Sequence, residues 1–257
     1  MQIVVDKLLA NYSTVGNGPR AILFLHGWAD NSQSFLQLAQ EIVAKDKTYT
    51  AVLLDLPGFG STQAPAQAWD LPDYAHFVAK FLEKAKLQPV VILGHSNGGA
   101  IAINGIANGV LQTEKLILIG SAGIRNTSLK KTALRALAKP AKLALRAAPA
   151  STQKRVKQKL YSAIGSDYLV AAHMQDTFKH IVAYDVRQEA TRITIPVCLI
   201  YGADDTATPP EYGKILANNI PGSKLEFIPL AGHFVHHEQL YKVARLCTNF
   251  ITEAPQS

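Results

Sequence analysis

The chain has 257 residues, 48% of them apolar and 18% charged, which is the composition of a soluble globular protein and excludes a disordered or fibrous one. At about 150 residues per domain this is one or two domains, enough chain to fold without disulfides or a structural metal. The net charge of +7 hides an uneven spread: residues 122–192 hold 14 Lys/Arg and 4 Asp/Glu, a balance of +10, and the rest hold 12 and 15, a balance of −3.

No apolar run is long enough for a bilayer. Met1–Ala10 contains Asp6 and lacks the apolar core and cleavage site of a signal peptide. Cys198 and Cys247 are the two cysteines, with no Cys-x-x-Cys, which fits buried thiols in a reducing compartment. A cytoplasmic location is expected.

From the N-terminus, Ile3–Val5 and Leu8–Ser13 read as a strand pair and Ala21–Leu25 as a buried strand ending at His26-Gly27. Ser32–Lys45 has helical spacing, Tyr49–Leu54 is a strand stopped by Pro57-Gly58, and Pro72–Leu87 is a helix with proline at its start. Strand Pro89–Leu93, helix Gly98–Asn108 and strand Lys115–Ile119 follow. The alternation resumes with Pro196–Tyr201, Glu211–Asn219, Lys224–Ile228 and His236–Ile251. Apolar strands alternating with helices predict an α/β fold, a mainly parallel central sheet with helices on both faces.

Between Ile119 and Pro196 the alternation breaks. The stretch reads as four helices, Leu129–Ala138, Ala141–Ala147, Thr152–Ile164 and Tyr168–Tyr184, divided early by Pro140 and Pro149. Residues 1–121 and 193–257 then form the core, and 122–192 a helical insertion seated on it.

The strongest chemical signal is Gly94-His95-Ser96-Asn97-Gly98. A Gly-x-Ser-x-Gly match is weak alone, but this one joins a predicted strand to a predicted helix. A serine on such a turn projects its hydroxyl above the sheet, and the helix behind it offers free N–H groups to a developing oxyanion. A serine nucleophile needs a base, and the base an orienting acid. His233 lies between the last strand and the last helix, and Asp204 and Asp205 follow another strand. Strand ends are where such sheets carry functional groups.

With these residues in order, the chain resembles the α/β-hydrolase superfamily over essentially its whole length. His26-Gly27-Trp28 resembles its oxyanion segment, and Asp55-Leu56-Pro57-Gly58-Phe59-Gly60-Ser61 its structural loop, with the serine one position early. Gly202, Asp205 and Pro209 match its acid motif, which favours Asp205 over Asp204. The insertion falls where the family carries a helical cap. The resemblance implies Ser96 as nucleophile, His233 as base, Asp205 as acid, and the backbone N–H groups of Trp28 and Asn97 as the oxyanion hole. His95, Trp28 and Phe234 are candidate pocket residues. His-Gly-Trp and the Asp-Leu-Pro-Gly-Phe-Gly run are also similar to small carboxylesterases of the pimeloyl-carrier-protein methyl ester esterase type, which differ at the elbow.

The implied activity is cofactor-free hydrolysis of a carboxylic ester or thioester. The alternatives are a C–C hydrolase, acyltransferase or perhydrolase on the same triad, or a non-catalytic ligand-binding protein on the same fold. Serine at the elbow excludes an aspartate nucleophile. His236, His237 and Glu238 do not make His-Glu-x-x-His, so no metal site is expected, and no nucleotide-binding glycine motif is present. His26, Asp55 and Asp204 are read as structural. Lys130, Lys131, Arg135, Lys139, Lys142 and Arg146 recur among leucines at amphipathic spacing, with Lys154, Arg155, Lys157 and Lys159 further on. They suit either a solvated face or an anionic partner, such as an acyl-CoA or acyl-carrier-protein thioester or an anionic lipid surface. Nucleic acid is not expected, because no recognition motif accompanies the charge.

Overall fold

A computed structural model describes residues 1–125 and 172–253. Eight strands form one sheet: β1 (Gln2–Val5), β2 (Leu8–Val15), β3 (Arg20–Leu25), β4 (Tyr49–Leu54), β5 (Pro89–His95), β6 (Lys115–Ile119), β7 (Val197–Gly202) and β8 (Lys224–Ile228). Their spatial order is β1-β2-β4-β3-β5-β6-β7-β8. β1 and β2 pair antiparallel, as do β2 and β4, and every other pairing is parallel.

The helices are α1 (Leu36–Lys45), α2 (Leu71–Ala85), α3 (Asn97–Ala107), α4 (Gln175–Ala183), α5 (Arg187–Ala190), α6 (Pro210–Asn219), α7 (Val235–Glu238) and α8 (Leu240–Thr252). Side chains alternate across each strand, and β3 shows the consequence. Ala21, Leu23 and Leu25 enter one core with residues of α2, α3 and α6, whereas Ile22 and Phe24 enter the other with α1 and α8. Both faces of the sheet are thus covered, which explains why its strands read as continuous apolar runs.

Local chemistry sets the helix ends. Asp70 and Asp73 exchange a capping box at the start of α2, with Pro72 in its first turn. At the end of α8, the Lys115 ammonium, almost buried, donates to the carbonyls of Phe250, Ile251 and Glu253 at 2.8, 2.8 and 2.6 Å. A cation there answers both the unpaired carbonyls and the negative end of the helix dipole.

Three boundaries differ from the sequence reading. Ser32–Phe35 forms a 3₁₀ turn ahead of α1, because the Asn31 side chain accepts from Gln33 N–H and tightens the entry. β5 runs on through Gly94 and His95, which pair with Leu118 and Ile119 of β6. The last helix divides at Gln239, whose φ of −132° and ψ of 46° interrupt the helical path.

The predicted helices Leu129–Ala138, Ala141–Ala147 and Thr152–Ile164 lie outside the described residues, as do all the basic residues from Lys130 to Lys159. Of the predicted Tyr168–Tyr184 helix, the described part is a 3₁₀ turn at Ala172–Met174 followed by α4. Met174, Ile181, Val186 and Ala190 are buried in the same core as α2 and α3.

Candidate active site

Ser96 sits between β5 and α3 with φ 50° and ψ −116°. A non-glycine residue in the left-handed region stores about 1–3 kcal/mol of strain and persists only where its surroundings hold it. Here the hold is explicit. Ser96 N–H donates to Ile119 O at 3.0 Å, and Ser96 O accepts from Ala122 N–H at 2.9 Å. The flanking glycines permit the turn by close approach: a Cβ on Gly98 would lie 2.1 Å from Leu25 O, and one on Gly94 2.6 Å from Gly99 Cα.

The segment after β3 abuts this turn, since the Cβ position of Gly27 is 3.2 Å from Ser96 Cβ. His26 fixes that segment. Its Nδ1–H donates to Gly27 O at 2.7 Å, and its Nε2 accepts from Leu56 N–H at 2.9 Å. Asp55 locks the adjoining loop, accepting from Ser32 N–H and Ser61 N–H and from the Asn11 amide at 2.8, 2.9 and 2.9 Å. Burial opposes its charge, but these bonds outweigh it and hold the Asp55 carboxyl below the usual range. Trp28 packs edge-on against Phe59, ring centroids 4.8 Å apart, and against Phe178 of α4 at 5.2 Å. Asn97 opens α3, so its N–H is one of the four that a helix start leaves without an intrahelical partner.

Asp205 and His233 meet. His233 Nδ1 lies 2.8 Å from Asp205 Oδ2. A carboxylate can only accept, so Nδ1 carries the proton, and among the described residues no hydrogen bond occupies Nε2. Asp205 is 3% exposed. Its burial favours the neutral acid, yet bonds from His233, the Thr208 hydroxyl and Thr208 N–H hold its pKa below the usual carboxylate range. Asp204 is exposed; its backbone N–H donates to Ala231 O at 2.9 Å, and among the described residues its carboxylate takes no hydrogen bond.

Thr208 was not singled out from sequence. Its hydroxyl lies 2.7 Å from Asp205 Oδ2, 2.9 Å from Gly120 O and 3.1 Å from His233 Nδ1. It ties the loop after β7 to the end of β6. The available signal was its position three residues after an aspartate at a strand end, where a hydroxyl closes a local turn.

The candidate pocket residues separate. Phe234 is 45% exposed beside His233. Trp28 is partly buried in its aromatic cluster. His95 is only 1% exposed, so it is a packed residue more than a wall; its Nε2–H donates to the His233 carbonyl at 3.0 Å. Its ring lies 4.7 Å from the His233 ring and 4.6 Å from that of His236. Among the described residues, no group of three His, Cys, Asp or Glu side chains could hold a metal.

The sequence model for the alpha/beta hydrolase fold matches residues 20–240. A pimeloyl-[acyl-carrier protein] methyl ester esterase of Chromobacterium violaceum is 28% identical, covering 94% of this chain and 98% of its own. A protein of the same description from Neisseria meningitidis is 27% identical, covering 90% and 93%. Among solved structures, an esterase from Exiguobacterium antarcticum superposes with a TM-score of 0.76 at 22% identity, covering 98% of this chain and 99% of its own. The match runs from β3 to the start of α8, through the serine turn and both the Asp205 and His233 loops, and on it the chain belongs to the alpha/beta hydrolase family as a hydrolytic enzyme.

Proposed function

We propose that the enzyme cleaves a carboxylic ester or thioester through an acyl-enzyme on Ser96. The observation that carries this reading is the His233 imidazole: Nδ1 is engaged by a buried carboxylate, Nε2 has no hydrogen bond among the described residues, and the ring packs 4.7 Å from that of His95, the residue preceding Ser96 in the chain. Ser96 Oγ attacks the carbonyl carbon while His233 Nε2 takes its proton. Asp205 keeps the imidazole in the Nδ1–H tautomer and offsets its charge. The N–H groups of Trp28 and Asn97 receive the oxyanion. The tetrahedral intermediate then collapses, His233 protonates the leaving alcohol or thiol, and water activated by the same imidazole releases the acid.

The test is a panel of p-nitrophenyl esters and acyl thioesters of rising chain length, run beside Ser96→Ala. The variant should lose about 10³–10⁶ in kcat, since only binding and oxyanion contributions survive. Unchanged turnover by Ser96→Ala would overturn the reading.

A finer reading of the substrate is an acyl group on an anionic carrier. It is supported by the carrier-protein substrate in the relatives' names and by the balance of +10 across residues 122–192. Attraction of this kind weakens within a Debye length, about 10 Å at 0.1 M salt. Turnover of an acyl-carrier or acyl-CoA thioester should therefore fall with salt more steeply than that of a neutral ester, and charge reversal at Lys130, Lys131 and Arg135 should remove the difference. Equal salt dependence for both substrates would leave the basic segment as a solvated face.

A further inference from the structure

We infer that His95 is a positioning residue for catalysis: its imidazole ties the loop that carries the base to the residue that carries the nucleophile. The inference rests on the triad reading above and goes beyond it.

The loop holding His233 is anchored at several points, and they pull toward different elements. Ala231 O accepts from Asp204 N–H at 2.9 Å, and the His233 ring is bonded to Asp205 and Thr208, so these contacts fix the loop to the end of β7. Gly232 N–H donates to the Glu238 carboxylate at 2.6 Å, which fixes it to α7. One of them reaches the serine turn, but only through intermediates: the His233 ring to the Thr208 hydroxyl, that hydroxyl to Gly120 O, and the neighbouring Ile119 O to Ser96 N–H. Among the hydrogen bonds of the described residues, the one from His95 Nε2 to His233 O runs from the base loop to the strand on which the serine sits. Leu230, three residues before His233, is 83% exposed with φ 56°, while Ala231 and Val235 are buried on either side of His233, so packing seats the ends of the loop and the His95 bond holds the His233 carbonyl between them.

The chemistry of His95 suits the task. A carbonyl only accepts, so the bond selects the Nε2–H tautomer. The ring is enclosed by Phe35 at 6.4 Å, His236 at 4.6 Å, Phe234 at 5.4 Å and His233 at 4.7 Å. Burial, followed by the nearby His233 charge, pushes its pKa down to about 3. It therefore stays neutral when His233 becomes an imidazolium during turnover, and adds no second positive charge to compete with it. Nδ1 has no hydrogen-bond partner among the described residues; the donor on Nε2 is the atom the arrangement uses.

Three substitutions isolate that atom. A glutamine amide nitrogen reaches about as far as Nε2, an asparagine amide nitrogen only as far as Nδ1, and leucine fills space without a donor. With active sites counted by fluorophosphonate titration, His95→Leu and His95→Asn should each lower kcat about 10–100-fold with little change in KM, the scale expected when a reacting group shifts by about 1 Å. The rate at which the probe labels Ser96 should fall in parallel. His95→Gln should recover most of both. A purely structural residue would change the thermal midpoint and the number of titratable sites, but not kcat per site. Wild-type kcat per site in His95→Leu would overturn the inference, as would His95→Gln performing no better than His95→Asn. If the leucine variant fails to fold, the Gln–Asn contrast alone decides. Failure of the triad reading looks different: the wild-type enzyme would then not be labelled at Ser96 at all.

Discussion

Two histidines and two buried aspartates stand at the carboxyl ends of strands in this sheet, and they behave differently. His26 and Asp55 follow β3 and β4; Asp205 and His233 follow β7 and β8. Both carboxyls are held below their usual range by hydrogen bonds that overcome burial. The difference lies in what remains unused. Asp55 takes backbone N–H groups and an amide, and both His26 nitrogens are bonded to backbone. Asp205 takes backbone N–H groups and a hydroxyl too, but it also orients the His233 ring through Nδ1 and leaves Nε2 without a hydrogen bond among the described residues. A saturated imidazole can only hold a loop in place; one with a free, directed lone pair can move a proton. On the proposed reading, the same residue types thus build a scaffold on one side of Ser96 and a base on the other.

Substituting the two aspartates tests this contrast most strongly. Asp205→Asn should lower kcat by about 10⁴, because an amide no longer selects the Nδ1–H tautomer, while Asp204→Asn stays near wild type. Asp55→Asn should instead cost about 1–3 kcal/mol of stability, since its new N–H₂ group meets donors in place of an acceptor. Steady-state kinetics per titrated site and thermal melts separate the two outcomes. A large loss of kcat per site in Asp55→Asn, or a small one in Asp205→Asn, would erase the distinction.

Acid sensitivity sharpens it further. Burial lowers the pKa of His26, His95 and His236, that of His95 to about 3. Below about pH 6.5 the unfolded chain takes up protons that these folded imidazoles refuse, so stability falls as pH falls, by up to about 1.4 kcal/mol per pH unit for each group. For His95 the loss extends down to about pH 3. Asp55 and Asp205, with lowered pKa values, add the same sign below about pH 4. None of these groups contributes pH dependence above about pH 7. Thermal midpoints should therefore be level from pH 7 to 8 and fall steeply from pH 6 to 4. A midpoint that holds steady down to pH 4 would contradict the burial argument.

The smallest expected effect comes from His236. It is 1% exposed, and neither ring nitrogen has a partner among the described residues. Phe35 already packs on it at 5.0 Å. Replacing a buried, unpaired polar ring by an apolar one of similar shape is close to neutral or stabilising. His236→Phe should hold or raise the midpoint at pH 7 by up to about 1 kcal/mol equivalent, and flatten the acid limb. A clear loss at pH 7 would mean that those nitrogens are satisfied in solution.

Much of this arrangement was legible in sequence because it depends on local pattern. Strand runs such as Ala21–Leu25 and the Gly94–Gly98 turn carry their conformation in neighbouring residues, and the acid motif separated Asp205 from exposed Asp204. What escaped was contact between distant segments. Thr208 matters through Gly120, 88 residues away, and His95 through His233, 138 residues away. Neither contact leaves a periodicity or a spacing to read. His95 reads from sequence as a candidate pocket residue because a histidine beside the elbow serine gives no clue to what its ring reaches. The break at Gln239 was missed for a related reason: apolar spacing continues through it, and only backbone geometry interrupts the helix.

On the proposed reading Ser96 is the nucleophile and His233 its base. That pairing is tested most directly by mapping a fluorophosphonate adduct by peptide mass spectrometry in the wild type and in His233→Ala. One equivalent of adduct should form on the wild-type peptide containing Ser96, and His233→Ala should slow labelling by orders of magnitude. Modification of a different residue, or a labelling rate indifferent to His233, would contradict that pairing.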